Sequence, residues 1–424
     1  MSLAAFLFLS IVAGSAGAAD DDPTTGAPEP FAVSSLRWLV ETLSSPAMEG
    51  REAGTLGAER AADVIMWQFR TAGLVPLGDE GYYQTFTYDP GPRKGGLRTL
   101  RNVVGILDPH KPGDALLVAA HYDHLGVREG KVHPGADDNA SGVALLCELA
   151  RAYHESNPHD GPVVFAAFTG EEMGLLGSKQ YVDNPLFPRE RTVAAVNIDM
   201  VGRREGNPLL VAIEGLSAAR RETFLHQASF DLPVSEMRSG FEAGDLASLV
   251  LARIPTMMIF TGPHADYHRP GDTPDKIDYD GLREIGLFLE KEAPLFALDA
   301  RGGFTGDPGV AESRPEGERE DRPFLGTVPD FTDAAGGGVL VADVVPGSPA
   351  ERAGILPGDR VTSLGGERVP DLRAYADALR ARAPGDRVGV TVSRDGRTFE
   401  FEAVLEKKTG GSGSPHGPGG HPGG

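Results

Sequence analysis

Ala115-Leu-Leu-Val-Ala-Ala-His121-Tyr-Asp-His124 is the stretch on which the reading of this chain turns. An apolar run without polar alternation is the pattern of a strand covered by helices on both faces. A histidine at its carboxyl end stands where open α/β sheets present functional groups. The design recurs downstream, where an apolar run at 163–168 meets Thr169-Gly-Glu-Glu172 and Val193-Ala-Ala-Val-Asn-Ile-Asp199 ends on a carboxylate. Further strands are predicted at 102–107, 209–213 and 256–260. Helices are predicted at 31–45, 56–72, 141–155, 175–182, 217–228, 244–252 and 279–296. This alternation implies a three-layer α/β/α domain with a mixed central sheet over residues 31–298.

Each candidate functional group sits where such a run stops. His121 is a candidate metal ligand, and Asp123, two residues on, is placed to hydrogen-bond its imidazole. Asp138 lies in Gly135-Ala-Asp-Asp-Asn-Ala-Ser-Gly142, where a loop carboxylate can bridge two cations; Asp137 beside it reads as loop support, and Asn139 and Ser141 as capping residues. Glu171 and Glu172 repel each other unless cations compensate, so one can face a metal while the other serves as general base. Asp199 ends a run too apolar to hold a charge without a partner. His268 precedes Arg269-Pro-Gly-Asp-Thr273, and Tyr267 beside it can donate to an oxyanion. Alone, each of these is an ordinary strand end, cap or acidic turn. Together, two histidines, three ligand carboxylates and a spare glutamate suit two zinc ions with an open water position. His124 and His133 flank this set and are read, with the remaining histidines, as surface or supporting groups.

The chain has 424 residues and a formal net charge of −21, an acidity that argues against nucleic acid or anionic membrane as the main partner. Its one cysteine, Cys147, lies in an apolar helical run and reads as a core residue. Residues 1–18 read as an export signal, with Ala16-Gly-Ala18 as the small-residue cleavage pattern, which places the protein in the periplasm or outside the cell. No stretch is a good membrane span. Residues 19–30 read as a disordered segment, 299–322 as a Gly/Pro/charge-rich linker, 323–408 as a small β-rich unit with a helix at 371–383, and 409–424 as a disordered tail.

The motifs HYDHLG (121–126), GADDNASG (135–142), TGEEMGLLGS (169–178), NIDMVG (197–202) and YHRPGDTPDKI (267–277) resemble those of the zinc peptidases of family M28, the bacterial leucyl aminopeptidase and aminopeptidase Y group. The resemblance implies a zinc exopeptidase fold with two zinc ions per chain, held by His121, Asp138, Glu172, Asp199 and His268, with Asp138 bridging. It implies Glu171 as general base, Asp123 as the residue that orients His121, and Tyr267 as a group that holds the tetrahedral intermediate. It makes the protein an aminopeptidase acting on peptide or protein substrates. Where many members have Ser-Asp-His, this chain has Gly244-Asp-Leu246, so the substrate pocket departs from the pattern. Asp245 is also compatible with a single-zinc acyltransferase resembling glutaminyl cyclase. The C-terminal unit resembles a PDZ domain of the bacterial protease type, through Phe324-Leu-Gly-Thr-Val-Pro-Asp-Phe331 and Gly347-Ser-Pro-Ala-Glu-Arg-Ala-Gly-Ile-Leu-Pro-Gly-Asp-Arg360. That implies a peptide C-terminus as ligand, bound at the 324–326 loop. A third reading makes the chain a PDZ scaffold whose zinc site is structural.

Overall fold

The computed structural model describes residues 29–89, 96–228, 231–237, 244–305, 323–329, 337–370, 374–375, 378–379 and 381–407. The export signal, nearly all of the segment at 19–30, most of the linker and the tail lie outside the described residues, as does much of the helix expected at 371–383.

Apart from a small hairpin of Val127–Arg128 and Lys131–Val132, the strands of the first unit are β1 (Val75–Pro76), β2 (Tyr83–Tyr88), β3 (Arg98–Leu107), β4 (Ala115–His121), β5 (Val163–Phe168), β6 (Thr192–Ile198), β7 (Leu209–Glu214), β8 (Val234–Glu236) and β9 (Thr256–Phe260). They form one sheet in the order β1-β3-β5-β4-β6-β9-β7-β8, with β2 also paired to β3. The sheet is mixed. β5, β4, β6 and β9 run parallel, while β3 and β7 run antiparallel to their inner neighbours. The four parallel strands therefore end at one edge, and the loops that follow them carry the site.

The central strands are wholly buried, and the parity of their residues shows which layer each face meets. Leu116, Val118 and Ala120 pack with Val163, Phe165 and Ala167 against α1 (Val33–Leu43), α2 (Leu56–Thr71), α3 (Gly142–Glu155), α5 (Ala218–Ala228) and α7 (Tyr279–Ala300). Leu117, Ala119, Val164, Ala166 and Phe168 face the other way. They meet Tyr181 of α4 (Leu176–Asp183) and Leu249 of α6 (Leu246–Leu251). This is the α/β/α arrangement expected, with helices on both faces of a mixed sheet. α6 is shorter than the predicted 244–252, because Gly244 takes φ +93° and leaves the helical path. Cys147 is buried in α3, and burial pushes its thiol far above the usual range, so it is a core residue as expected.

The C-terminal unit is an antiparallel sheet of Thr327–Pro329, Val339–Val344, Arg360–Leu364, Arg387–Arg394 and Arg397–Val404, with a short helix at Pro349–Ala353. Ser348 caps that helix by accepting from the Glu351 amide at 3.2 Å, and Gly354 ends it at φ +90°. Buried Asp359 is held bidentately by Arg394, with contacts of 2.6 and 2.8 Å. Among the described residues, no helix is long and apolar enough to cross a membrane.

Candidate metal centre

β4 delivers His121 to the sheet edge, and the next amide, Tyr122, still bonds the Phe168 carbonyl of β5 at 2.9 Å. The imidazole Nε2 of His121 lies 3.4 Å from Asp138 Oδ1 and 3.3 Å from Asp199 Oδ1. Its Nδ1 faces the Asp123 carbonyl oxygen at 3.2 Å, whereas the Asp123 carboxylate is 3.9 Å away. The backbone of Asp123, rather than the carboxylate expected from the sequence, is thus the nearer orienting acceptor. The carboxylate instead accepts from the Glu171 amide at 3.1 Å, tying the β4 loop to the β5 loop.

A second cluster adjoins the first through Asp138. Its Oδ2 lies 3.2 Å from Nε2 of His268 and 3.4 Å from Nδ1 of His124. Glu172 Oε1 is 3.1 Å from the same His268 nitrogen and 3.0 Å from the same His124 nitrogen. The sheet thus brings His121, Asp138, Glu172, Asp199 and His268 together, and His124 with them. Asp138 turns one oxygen to each cluster.

These donors fit cations. Asp138 Oδ2, Glu172 Oε1 and both ring nitrogens of His124 are buried without a well-formed hydrogen bond, a state that a cation would relieve. Two ligands at ~2.0–2.1 Å from a tetrahedral zinc are about 3.3 Å apart. The measured separations of 3.0 to 3.4 Å cluster around that edge. The electrostatics agree. Burial opposes ionisation of Glu172, but the His268 and His124 imidazoles hold its carboxyl well below the usual range. Burial works against His268 too, yet Glu172 and Asp138 raise it to about 10. Charge of one sign here demands charge of the other.

Glu171 stands apart from both clusters. Burial pushes its carboxyl well above the ordinary range; Glu172, Asp245 and Asp199 add to the rise and His121 opposes it. A side chain at Gly244 would begin 3.6 Å from Asp199 Oδ2 and 4.0 Å from Glu171 Oε1, so both carboxylates face the same space beside that loop. Asp245 follows, buried, with neither oxygen hydrogen-bonded. Tyr267 is 39% exposed and stacks on His268 with ring centroids 3.8 Å apart. Loss of solvent around its hydroxyl, although the side chain as a whole stays partly exposed, and then the charges of Asp138 and Glu172 keep it protonated far beyond neutral pH.

The loop that carries Asp138 is tightly held. Asp272 accepts from the amides of Asp137 and Asp138 at 3.0 to 3.1 Å. Asp137 supports the loop as expected: it accepts from the Gly202 amide at 2.6 Å and lies 3.1 Å from His264 Nε2. Asn139 acts as the cap, accepting from the Gly142 amide at 3.0 Å. Ser141 does not cap. Its hydroxyl donates to Asp137 and accepts from the Val201 amide at 3.1 Å, joining the loop to the end of β6.

Sequence reasoning passed over Arg51 and Asp272 and set His124 among the supporting groups. Arg51 is 1% exposed and donates to the carbonyls of Leu43, Tyr122, Pro134 and Gly135 at 2.6 to 2.8 Å. It pins the His121–His124 turn to the loop before Asp138. A lone arginine in a Gly-rich run carries no periodic signal. The Gly-Asp-Thr after His268 was the signal for Asp272, and the second histidine of HYDHLG that for His124.

The chain is similar to known proteins over both of its units. Residues 102–292 match the model of Peptidase family M28, and residues 316–405 match that of a PDZ domain. Aminopeptidase YwaD of Bacillus subtilis is 42% identical over 109 residues, a stretch covering 25% of this chain and 22% of that protein. The crystal structure of LapB from Legionella pneumophila superposes with a TM-score of 0.52 at 21% identity, covering 63% of this chain and 72% of that one. Porphyromonas gingivalis glutaminyl cyclase superposes with a TM-score of 0.52 at 19% identity, covering 62% and 98%. At such identities the two solved structures speak for the fold alone, which they share with this chain. The chain carries a peptidase family M28 domain followed by a PDZ domain.

Proposed function

We propose that this protein is an exported dinuclear zinc aminopeptidase that hydrolyses N-terminal peptide bonds, with its PDZ domain recruiting peptide C-termini. The observation that carries the reading is the divided carboxylate of Asp138: Oδ1 faces His121, Oδ2 faces His268, and Glu171 is a donor in neither group. His121, Asp199 and Asp138 would hold one ion, and Glu172, His268 and Asp138 the other. When bound, the ions supply Lewis acidity to the scissile carbonyl and the attacking water.

The protein's own groups do the rest. Glu171 takes the water's proton and passes it to the leaving amine. The Asp123 carboxylate fixes the Glu171 backbone through the 3.1 Å amide contact. Tyr267, kept protonated, donates to the developing oxyanion. The substrate's free α-amine is drawn to the acidic wall of Asp199, Glu171 and Asp245, which favours exopeptidase over endopeptidase action. The export reading rests on the apolar segment and small-residue pattern at 1–18.

Glu171→Gln tests the central role. Turnover of aminoacyl fluorogenic substrates should fall by roughly 100-fold or more with metal content unchanged; wild-type turnover would remove Glu171 from the mechanism. Peptides beginning with glutamine separate this reading from the cyclase chemistry that the fold and Asp245 also allow. Release of the amino acid supports it, and cyclisation without release contradicts it.

A further inference from the structure

We propose that His124 is a third imidazole ligand, which closes the Glu172–His268 position with four protein donors and leaves the His121–Asp199 position as the open one. This rests on the two-ion reading and deepens it. In such sites a structural zinc takes four protein ligands, and a catalytic zinc takes three plus an open place.

Four donors converge on one side: His124 Nδ1, His268 Nε2, Asp138 Oδ2 and Glu172 Oε1, at separations of 3.4, 3.0, 3.2 and 3.1 Å. These four histidine–carboxylate separations have the length of a zinc tetrahedron's edges, about 3.3 Å each. His124 is fully buried, and neither of its nitrogens has a hydrogen-bond partner, a costly state that a cation would relieve. The ring is also held in place. Its centroid lies 5.7 Å from that of His268 in an edge-to-face contact, and its backbone amide bonds Arg51 at 3.2 Å. Gly135 covers it at φ +59°, where any Cβ would meet the ring at 2.7 Å.

Among the described residues, the other side gathers His121 Nε2, Asp138 Oδ1 and Asp199 Oδ1. The Glu171 carboxylate lies toward that side, since it shares with Asp199 the space at Gly244. The open coordination place and the general base therefore fall together. The closed ion would anchor Asp138, Glu172 and His268, and the labile ion would meet substrate.

Ligation by His124 predicts a chemical signature. Its facing atom is Nδ1, whereas His121 and His268 present Nε2. The full chain, labelled with nitrogen-15 at histidine and loaded with cadmium-113, should show three metal-coupled histidines, one of them through Nδ1. That coupling should vanish in His124→Gln with the two Nε2 couplings kept. Zinc release into excess chelator should show one ion leaving at least ~10-fold more slowly than the other in wild type, and two fast ions in the variant. Two bound ions with Nε2 couplings only would overturn the assignment and reduce His124 to a positioning residue, leaving the two-ion reading intact. A single bound ion would overturn both. The couplings in unmutated protein decide the matter even if the variant does not fold.

Discussion

Arg51→Met replaces a buried cation with an apolar chain of similar length. Four carbonyls lose a charged donor at 2.6 to 2.8 Å. Hydrogen bonds to a charged group contribute about 1.5–3 kcal/mol each, so the gross loss is roughly 6–8 kcal/mol at the lower end of that range. Against this stands relief of a buried charge. Desolvation lowers the Arg51 guanidinium from its ordinary value to about 10, although Asp138, Asp272, Asp123 and Glu172 pull it the other way. That shift corresponds to about 3 kcal/mol of strain removed by the mutation. The net expectation is a loss of about 3–5 kcal/mol. At ~2–4 °C per kcal/mol for a domain of this size, Tm should fall by about 10 °C. Calorimetry of the full chain in chelator reads this without metal binding. Arg60→Met is the control, because that exposed guanidinium donates to a single carbonyl, Ala47, at 2.7 Å, and its loss should stay within about 0.5 kcal/mol. A Tm for Arg51→Met within 2 °C of wild type, on the order of the control effect, would refute the claim that Arg51 ties the two ligand loops together.

Glu292→Gln should stabilise the peptidase domain at high pH only. Burial, then the Asp231 carboxylate, raise the Glu292 carboxyl from 4.5 to about 7. The fold therefore binds more protons than the unfolded chain between those values, and wild type loses stability as pH rises through them. The variant should equal wild type at pH 4 and exceed it by up to about 3 kcal/mol at pH 8 in denaturant titrations; a gain independent of pH would contradict this. Arg394→Met strands the buried Asp359 in the PDZ domain. Burial opposes its ionisation, but Arg394 holds it below the usual range, so the pair's stability is present above the unfolded pKa and is lost as pH falls through the folded one. Hydrogen exchange in Val339–Val344 should accelerate at neutral pH, and the difference from wild type should shrink as pH falls below the unfolded carboxyl range.

The central strands were legible because burial on both faces leaves an unbroken apolar run. β5 and β9 fall where the runs at 163–168 and 256–260 predict them. β1, β2 and β8 were not predicted. They lie at or near the sheet's edges, where two- to six-residue strands need no such run. The side chains that the sheet brings together were legible because each ends a strand or sits in a glycine-flanked turn. What supports it was less so. Arg51 and Asp272 act through backbone groups far away in sequence, and which backbone they meet is fixed only by the fold. His124 was seen but assigned a lesser place, since one residue of spacing past Asp123 does not say which way a turn carries a side chain.

The most direct test of the two-ion site is anomalous diffraction at the zinc edge on crystals of the full chain. Two peaks about 3.5–4 Å apart, one on either side of the Asp138 carboxylate, are predicted. A single peak, or peaks away from Asp138, would contradict the account.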